Sequence, residues 1–203
     1  MTERETPSVD GLVIGILGGT GDQGRGLARR FALAGHQVII GSRSSERAAA
    51  AAREIGHGVQ GLANADAARG ASVIIAAVPW EGHGDLLSAL AGELAGKIVV
   101  DCVNPLGFDQ RGAYALPVAE GSAAQQAAAL LPGSRVVAAF HHVSAVLLLD
   151  PEVDTIDLDV LVLGDDREAT DLVQALAARI PGVRGIYAGR LRNCGQIEAL
   201  TAL

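Results

Sequence analysis

Leu12-Val-Ile-Gly-Ile-Leu-Gly-Gly-Thr-Gly-Asp-Gln-Gly24, followed by an amphipathic run and then Val38-Ile-Ile-Gly-Ser-Arg43, is the stretch that decides the fold. An apolar run feeds a glycine-rich turn, the turn opens a helical pattern, and a second apolar run follows. This is a βαβ unit with Gly19, Gly21 and Gly24 in G-x-G-x-x-G spacing. Chance alone can produce that spacing in a chain with 26 glycines, so the flanking strand and helix patterns carry the reading. Gly19 is expected to allow the tight turn, Gly21 to let a pyrophosphate approach the main chain, and Gly24 to let the helix pack on the strand. The N–H groups of the first helical turn then face an anion.

Outward from this unit, strand and helix alternate. Strands are predicted over 12–17, 38–40, 58–62, 72–78, 97–103, 135–140, 159–163 and 183–188. Helices are predicted over 23–34, 44–55, 84–94, 122–131 and 166–180, with a helical turn at 63–68 and a helical C-terminus. The strands are almost continuously apolar, as expected of a parallel sheet covered on both faces. The fold class is therefore α/β, a Rossmann-type doubly wound parallel sheet. On the first helix, Leu27, Ala28, Phe31 and Leu33 are assigned to the core and Arg25, Arg29 and Arg30 to solvent.

Composition removes several function classes. Half the chain is hydrophobic (49%) but only 3% is aromatic, so the core is aliphatic. A net charge of −7 argues against a nucleic-acid surface, and no apolar run is long enough to cross a bilayer. The polar start of the chain lacks the apolar stretch of a signal peptide. Cys102 and Cys194 have no CxxC partner and read as reduced thiols, which places the protein in the cytoplasm. There is no Ser-His-Asp set, no H-E-x-x-H and no Cys/His metal spacing, so no metal is expected. The acidic run at Asp150, Glu152, Asp154, Asp157 and Asp159 lacks EF-hand spacing and reads as a solvated loop.

The end of the second strand selects the dinucleotide. NAD-binding versions of the fold carry an Asp or Glu there for the ribose 2′-hydroxyl. Here the strand ends in Gly41-Ser42-Arg43, with Arg47 a helical turn later. A hydroxyl and guanidinium groups suit a 2′-phosphate, so NADP is expected; the competing reading makes Arg43 an ordinary surface residue. The His141-His142 pair stands at a strand's carboxyl end, where it would either contact a ring carbonyl, act as an acid, or be satisfied by backbone. Trp80 reads equally as a pocket wall or as core, and His57 and His83 read as loop or surface residues.

The chain also resembles the NADPH-dependent reductases of coenzyme F420, an 8-hydroxy-5-deazaflavin. The resemblance is carried by Ile16–Gly24 with Gly26-Leu27-Ala28, Gly35-His36, Gly41-Ser42-Arg43, Val78-Pro79-Trp80-Glu81, Val136–His141, Gly164-Asp165-Asp166 and Glu198–Thr201. It implies a hydride exchange between NADP(H) and F420, two rings lying against each other in one cleft. By the same resemblance Thr20, Gly21, Asp22 and Gln23 match the pyrophosphate loop, and Ser42, Arg43 and Arg47 match the 2′-phosphate anchors. Val78, Asn104 and Ala145 match the nicotinamide end, and His141 and Val143 match deazaflavin contacts. His142 and Ser144 depart from the family, which carries a smaller polar residue and a proline there. The expected organisation is a tail over 1–10, an NADP-binding domain over 11–132 and a smaller region over 133–203 closing the cleft, in a homodimer. The alternatives are a reductase of an imine or small carbonyl, with a histidine as proton donor, and a non-enzymatic NADP-binding redox sensor.

Overall fold

The structure, a computed structural model, describes residues 6–203. In chain order the elements are β1 (Val13–Leu17), α1 (Asp22–Leu33), β2 (Gln37–Ser42), α2 (Ser45–Ile55), β3 (Gln60–Ala63), α3 (Asn64–Gly70) and β4 (Val73–Ala76). A 3-10 turn (Trp80–Gly82) leads into α4 (His83–Ala89), α5 (Ala91–Leu94) and β5 (Ile98–Asp101). There follow β6 (Leu106–Asp109), β7 (Gly112–Ala115), α6 (Ala123–Leu130), β8 (Arg135–Ala138), α7 (Ala145–Leu149), β9 (Leu158–Gly164), α8 (Arg167–Ala177), β10 (Val183–Gly189) and α9 (Cys194–Leu200).

Eight strands form one sheet in the order β10-β9-β8-β5-β4-β1-β2-β3. From β3 to β8 all neighbours are parallel; β9 reverses against β8, and β10 runs parallel to β9. The expected parallel sheet is thus present, and the residues after 133 extend the same sheet. Alternate strand residues feed two cores. Ile14, Ile16, Ile75, Val100 and Val137 pack against Leu27, Phe31 and Val173 on one face. Leu17, Ile74, Ala76 and Val99 pack against Leu87, Leu94 and Leu131 on the other. β1 turns at Leu17 and strand order reverses between β1 and β4, which makes the carboxyl end of β1 a place for a ligand crevice.

Several elements differ from the sequence expectation. The predicted helix over 84–94 is interrupted at Leu90, which caps α4 and opens α5. β8 stops at Ala138 because Phe140 takes a positive φ of 65° that no strand accommodates. The hairpin β6–β7 and the short helix α7 lie in stretches with no expected element; both are too short for their periodicity to stand out. Residues 1–5 of the expected tail lie outside the described residues, and Val9 is buried in the core.

Arg30 was expected on the wet side of α1, but it is only 3% exposed. Its guanidinium donates to four carbonyl oxygens: Leu148 at 2.9 Å, Val153 at 2.6 Å, Leu147 at 2.6 Å and Asp150 at 3.1 Å. It satisfies the open carbonyls at the end of α7, a use that helical periodicity does not reveal. Leu33, expected in the core, is 49% exposed at the end of α1.

Candidate functional site

The glycine loop connects β1 to α1, and its glycines divide the work differently from the expectation. The left-handed turn falls on Gly18 (φ +73°), where a Cβ would also lie 2.6 Å from Ala77 O. At Gly19 a Cβ would lie 2.6 Å from Ile40 Cβ, and at Gly24 it would lie 2.7 Å from Gly19 Cα. These two glycines seat the loop on β2 and the helix on the loop. Gly21 is different: a Cβ there would meet only Gly18 O, at 3.8 Å. It is exposed, lines the cleft and caps α1 with no side chain. The first backbone bond of the helix runs from Arg25 N–H to Gly21 O, so the N–H groups of Asp22, Gln23 and Gly24 have no acceptor within the helix, at its positive end. The protein leaves room at Gly21, and an anion can use that room.

That loop forms one wall of a cleft of about 770 Å³. Thr20, Gly21, Ser42, Arg43, Arg47 and Val78, all predicted from sequence, line it together. Ser42 ends β2 and is buried; Arg43 and Arg47 are exposed and form no ion pair with any described residue. α2 starts beside them because Ser44 caps it, its Oγ accepting from Arg47 N–H at 3.2 Å. Two cations and a hydroxyl without a carboxylate partner fit a phosphate dianion, and the open loop at Gly21 fits a pyrophosphate. Asn64, Pro79, Glu81, Asp85 and Leu86 also line the cleft and were not singled out from the sequence as binding residues. Their place just beyond β3 and β4 was the signal that could have found them.

Asp22, exposed at the helix start, and Gln23 do not line this cleft. Gln23 Nε2 instead donates to Phe140 O at 3.1 Å, tying the loop to the end of β8. Asn104, His141, Val143 and Ala145 follow β5 and β8 in the chain and do not line this cleft, and a hydrogen bond joins the first two. Asn104 Nδ2 donates to His141 O at 2.9 Å, Val143 is buried and Ala145 opens α7. Asn104 Oδ1 and both ring nitrogens of His141 are buried without a partner. Burial pushes the His141 imidazole down to about 4, so it is neutral at neutral pH. That burial disfavours the acid role weighed for it, while the neutral imidazole still carries one ring N–H that can donate a hydrogen bond. His142 is not free either, its Nε2 lying 2.9 Å from Asp159 O.

Beneath β5 lies a polar network that sequence reasoning missed. His83, expected at the surface, is fully buried, with Nε2 2.6 Å from Asp101 Oδ2 and Nδ1 3.0 Å from Gln126 Oε1. Burial alone would lower its pKa, but the bond and charge of Asp101 outweigh it and hold the imidazole above its usual value. Asp101 Oδ1 accepts from Val103 N–H at 3.0 Å, which fixes the turn leading to Asn104. Glu198 accepts from Ala123 N–H and Ala124 N–H at 2.8 and 3.2 Å, and burial pushes its carboxyl up to about 7. Trp80 stacks on His83 with ring centroids 5.6 Å apart. Cys102 and Cys194 are both free and buried. Among the described residues no cluster of His, Cys, Asp and Glu could hold a metal, and no helix is long and apolar enough to cross a membrane.

Comparison with known proteins places the chain among relatives of one family. The family described as NADP oxidoreductase, coenzyme F420-dependent, matches residues 13–105. An F420-dependent NADP reductase of Methanothermobacter marburgensis is 42% identical over 95% of this chain and 90% of its own length. An Arthrobacter crystal structure, provisionally described as an F420-dependent NADP-reductase, superposes with a TM-score of 0.81 at 32% identity, covering 94% of this chain and 90% of that one. A Bacillus cereus imine reductase shares the fold, with a TM-score of 0.67 at 16% identity over 91% of this chain and 57% of its own. With a relative this similar over nearly the whole of both chains, the protein belongs to the F420-dependent NADP oxidoreductase family.

Proposed function

We propose that this chain transfers a hydride between NADP(H) and coenzyme F420: NADPH + F420 + H⁺ exchanging with NADP⁺ + F420H2. The observation that carries the reading is the cleft in which an open Gly21 loop faces Ser42, Arg43 and Arg47 with no acid at the end of β2. Thr20, Gly21, Asp22 and Gln23 would hold the pyrophosphate, and Ser42, Arg43 and Arg47 the 2′-phosphate. Gly19 and Gly24 keep the loop in place. Val78, Asn104 and Ala145 would line the nicotinamide end, and His141 and Val143 would touch the deazaflavin. The reduced nicotinamide supplies the hydride that the deazaflavin ring accepts. The chain's own task is then to bind, orient and exclude water, and a neutral, buried His141 suits that task. Residues 133–203 would complete the cleft over the site. The buried free thiols support a cytoplasmic setting. The exposed edge strand β10, with Ile186 42% exposed, supports a homodimer, which sedimentation would test.

The test mixes the protein with NADPH and oxidised deazaflavin and follows the loss of the deazaflavin chromophore. His141→Ala should raise KM for the deazaflavin and cost little in kcat. If His141 were a proton donor, kcat would fall by roughly 10²–10⁴-fold with one limb of the pH profile lost. A folded protein that binds NADPH and bleaches no deazaflavin would overturn the reading.

A further inference from the structure

Asn64 is the first residue of α3 and follows directly on Ala63, the last residue of β3. β2 and β3 are parallel, with Ser42 opposite Ala63, so Arg43 and Asn64 leave the sheet side by side. Both line the cleft, together with Ser42 and Arg47. Asn64 Oδ1 is buried without a hydrogen-bond partner against Gly41, where a Cβ would stand only 2.6 Å away. Gly41 is thereby explained by the amide it admits, since any side chain there would displace Asn64. The other end of the amide, Nδ2, is not among the buried atoms and makes no bond within the described protein. A buried acceptor left unpaired is unfavourable, and here it accompanies a donor presented at the cleft. The carboxylates that line the cleft, Glu81 and Asp85, come from the 3-10 turn and α4, not from β2 or β3.

We infer that Asn64 is a specificity residue of this site: its Nδ2 donates to the phosphomonoester on the adenosine 2′ position, completing a donor set with Ser42, Arg43 and Arg47. The inference rests on the NADP reading above. A neutral amide donor adds a directed bond to the charge that the two arginines supply, and the absence of a Cβ at Gly41 leaves the room the amide occupies.

The test measures binding of NADPH, NADH and 2′-AMP to the wild type, Asn64→Asp, Asn64→Ala and Arg43→Ala, with circular dichroism as a check on folding. Asn64→Asp replaces the donor with an acceptor of like charge to the phosphate. It should weaken NADPH and 2′-AMP roughly ten- to hundredfold while NADH changes little. Asn64→Ala keeps the Cβ and removes the amide, so it should act in the same direction with a smaller effect, and it carries the test should the aspartate variant not fold. If Arg43→Ala discriminates between the two dinucleotides and the Asn64 variants do not, the Asn64 assignment is wrong and the 2′-phosphate reading stands. If no variant discriminates, both are wrong.

Discussion

The two ends of the site handle charge in opposite ways. At the end of β2, Arg43 and Arg47 are exposed and have no ion-pair partner among the described residues. Beneath β5, His83 and Asp101 are fully buried and pair with each other at 2.6 Å. Exposed, unpaired cations contribute little to folding and remain available to a ligand's phosphate. Sealed pairs contribute nothing to a ligand directly but fix the backbone that presents Asn104 and, through it, the His141 carbonyl. The proposed function gives the first region recognition and the second positioning, and each can be broken without the other.

The largest effect is expected in the positioning region. Asp101→Ala leaves a buried imidazole and the Val103 N–H without their acceptor, and should lower the unfolding free energy by about 3–5 kcal/mol. Chemical denaturation checks this; a loss below about 1 kcal/mol would mean that the pair holds nothing together.

In the recognition region Gly21→Val should abolish measurable NADPH binding while stability stays near that of the wild type, because a Cβ there meets no protein atom closer than 3.8 Å. Gly24→Ala is the complementary case: its Cβ would meet Gly19 Cα at 2.7 Å, so it should destabilise by about 1–3 kcal/mol. Calorimetric titration and thermal melts on both variants separate the two roles, and equal loss of stability would merge them. Arg43→Ala should weaken NADPH by about 1.5–3 kcal/mol and leave NADH nearly unchanged. Equal weakening would make Arg43 structural.

The smallest effect sharpens the comparison within the buried region. His141 has an ordinary value of 6.5 and is held near 4, so between those values the unfolded chain binds a proton that the native state refuses. Its contribution to stability is lost as pH falls from 6.5 towards 4. Glu198 runs the other way, from 4.5 up to about 7, so the native state keeps a proton that the unfolded chain has released. Its contribution is lost as pH rises from 4.5 towards 7. The two slopes oppose each other between 4.5 and 6.5. Relative to wild type, Glu198→Gln should steepen the loss towards acid and His141→Gln the loss towards neutral pH, each by up to about 1.4 kcal/mol per pH unit. Unfolding free energies measured across this range check both, and parallel curves for all three proteins would refute the opposition.

By itself the sequence determined the alternating order of elements, the parallel sheet, the glycine loop and the cleft-lining residues Ser42, Arg43 and Arg47. These are local matters: hydrophobic period, glycine spacing and the absence of a carboxylate at one strand end are all properties of short segments. Tertiary structure alone decided which charged residues are inside. Arg30 and Arg29 are neighbours on one helix, and only Arg30 meets the carbonyls at the end of α7, more than a hundred residues away. His83 reads as a surface histidine until β5 places Asp101 against it, although an aspartate ending Ile98-Val-Val was a visible oddity. Asn64 gains its meaning only from the pairing of β2 with β3. The physical reason is the same in each case: a buried polar group is tolerated when a partner is supplied, and the partner comes from a segment whose distance along the chain carries no local pattern.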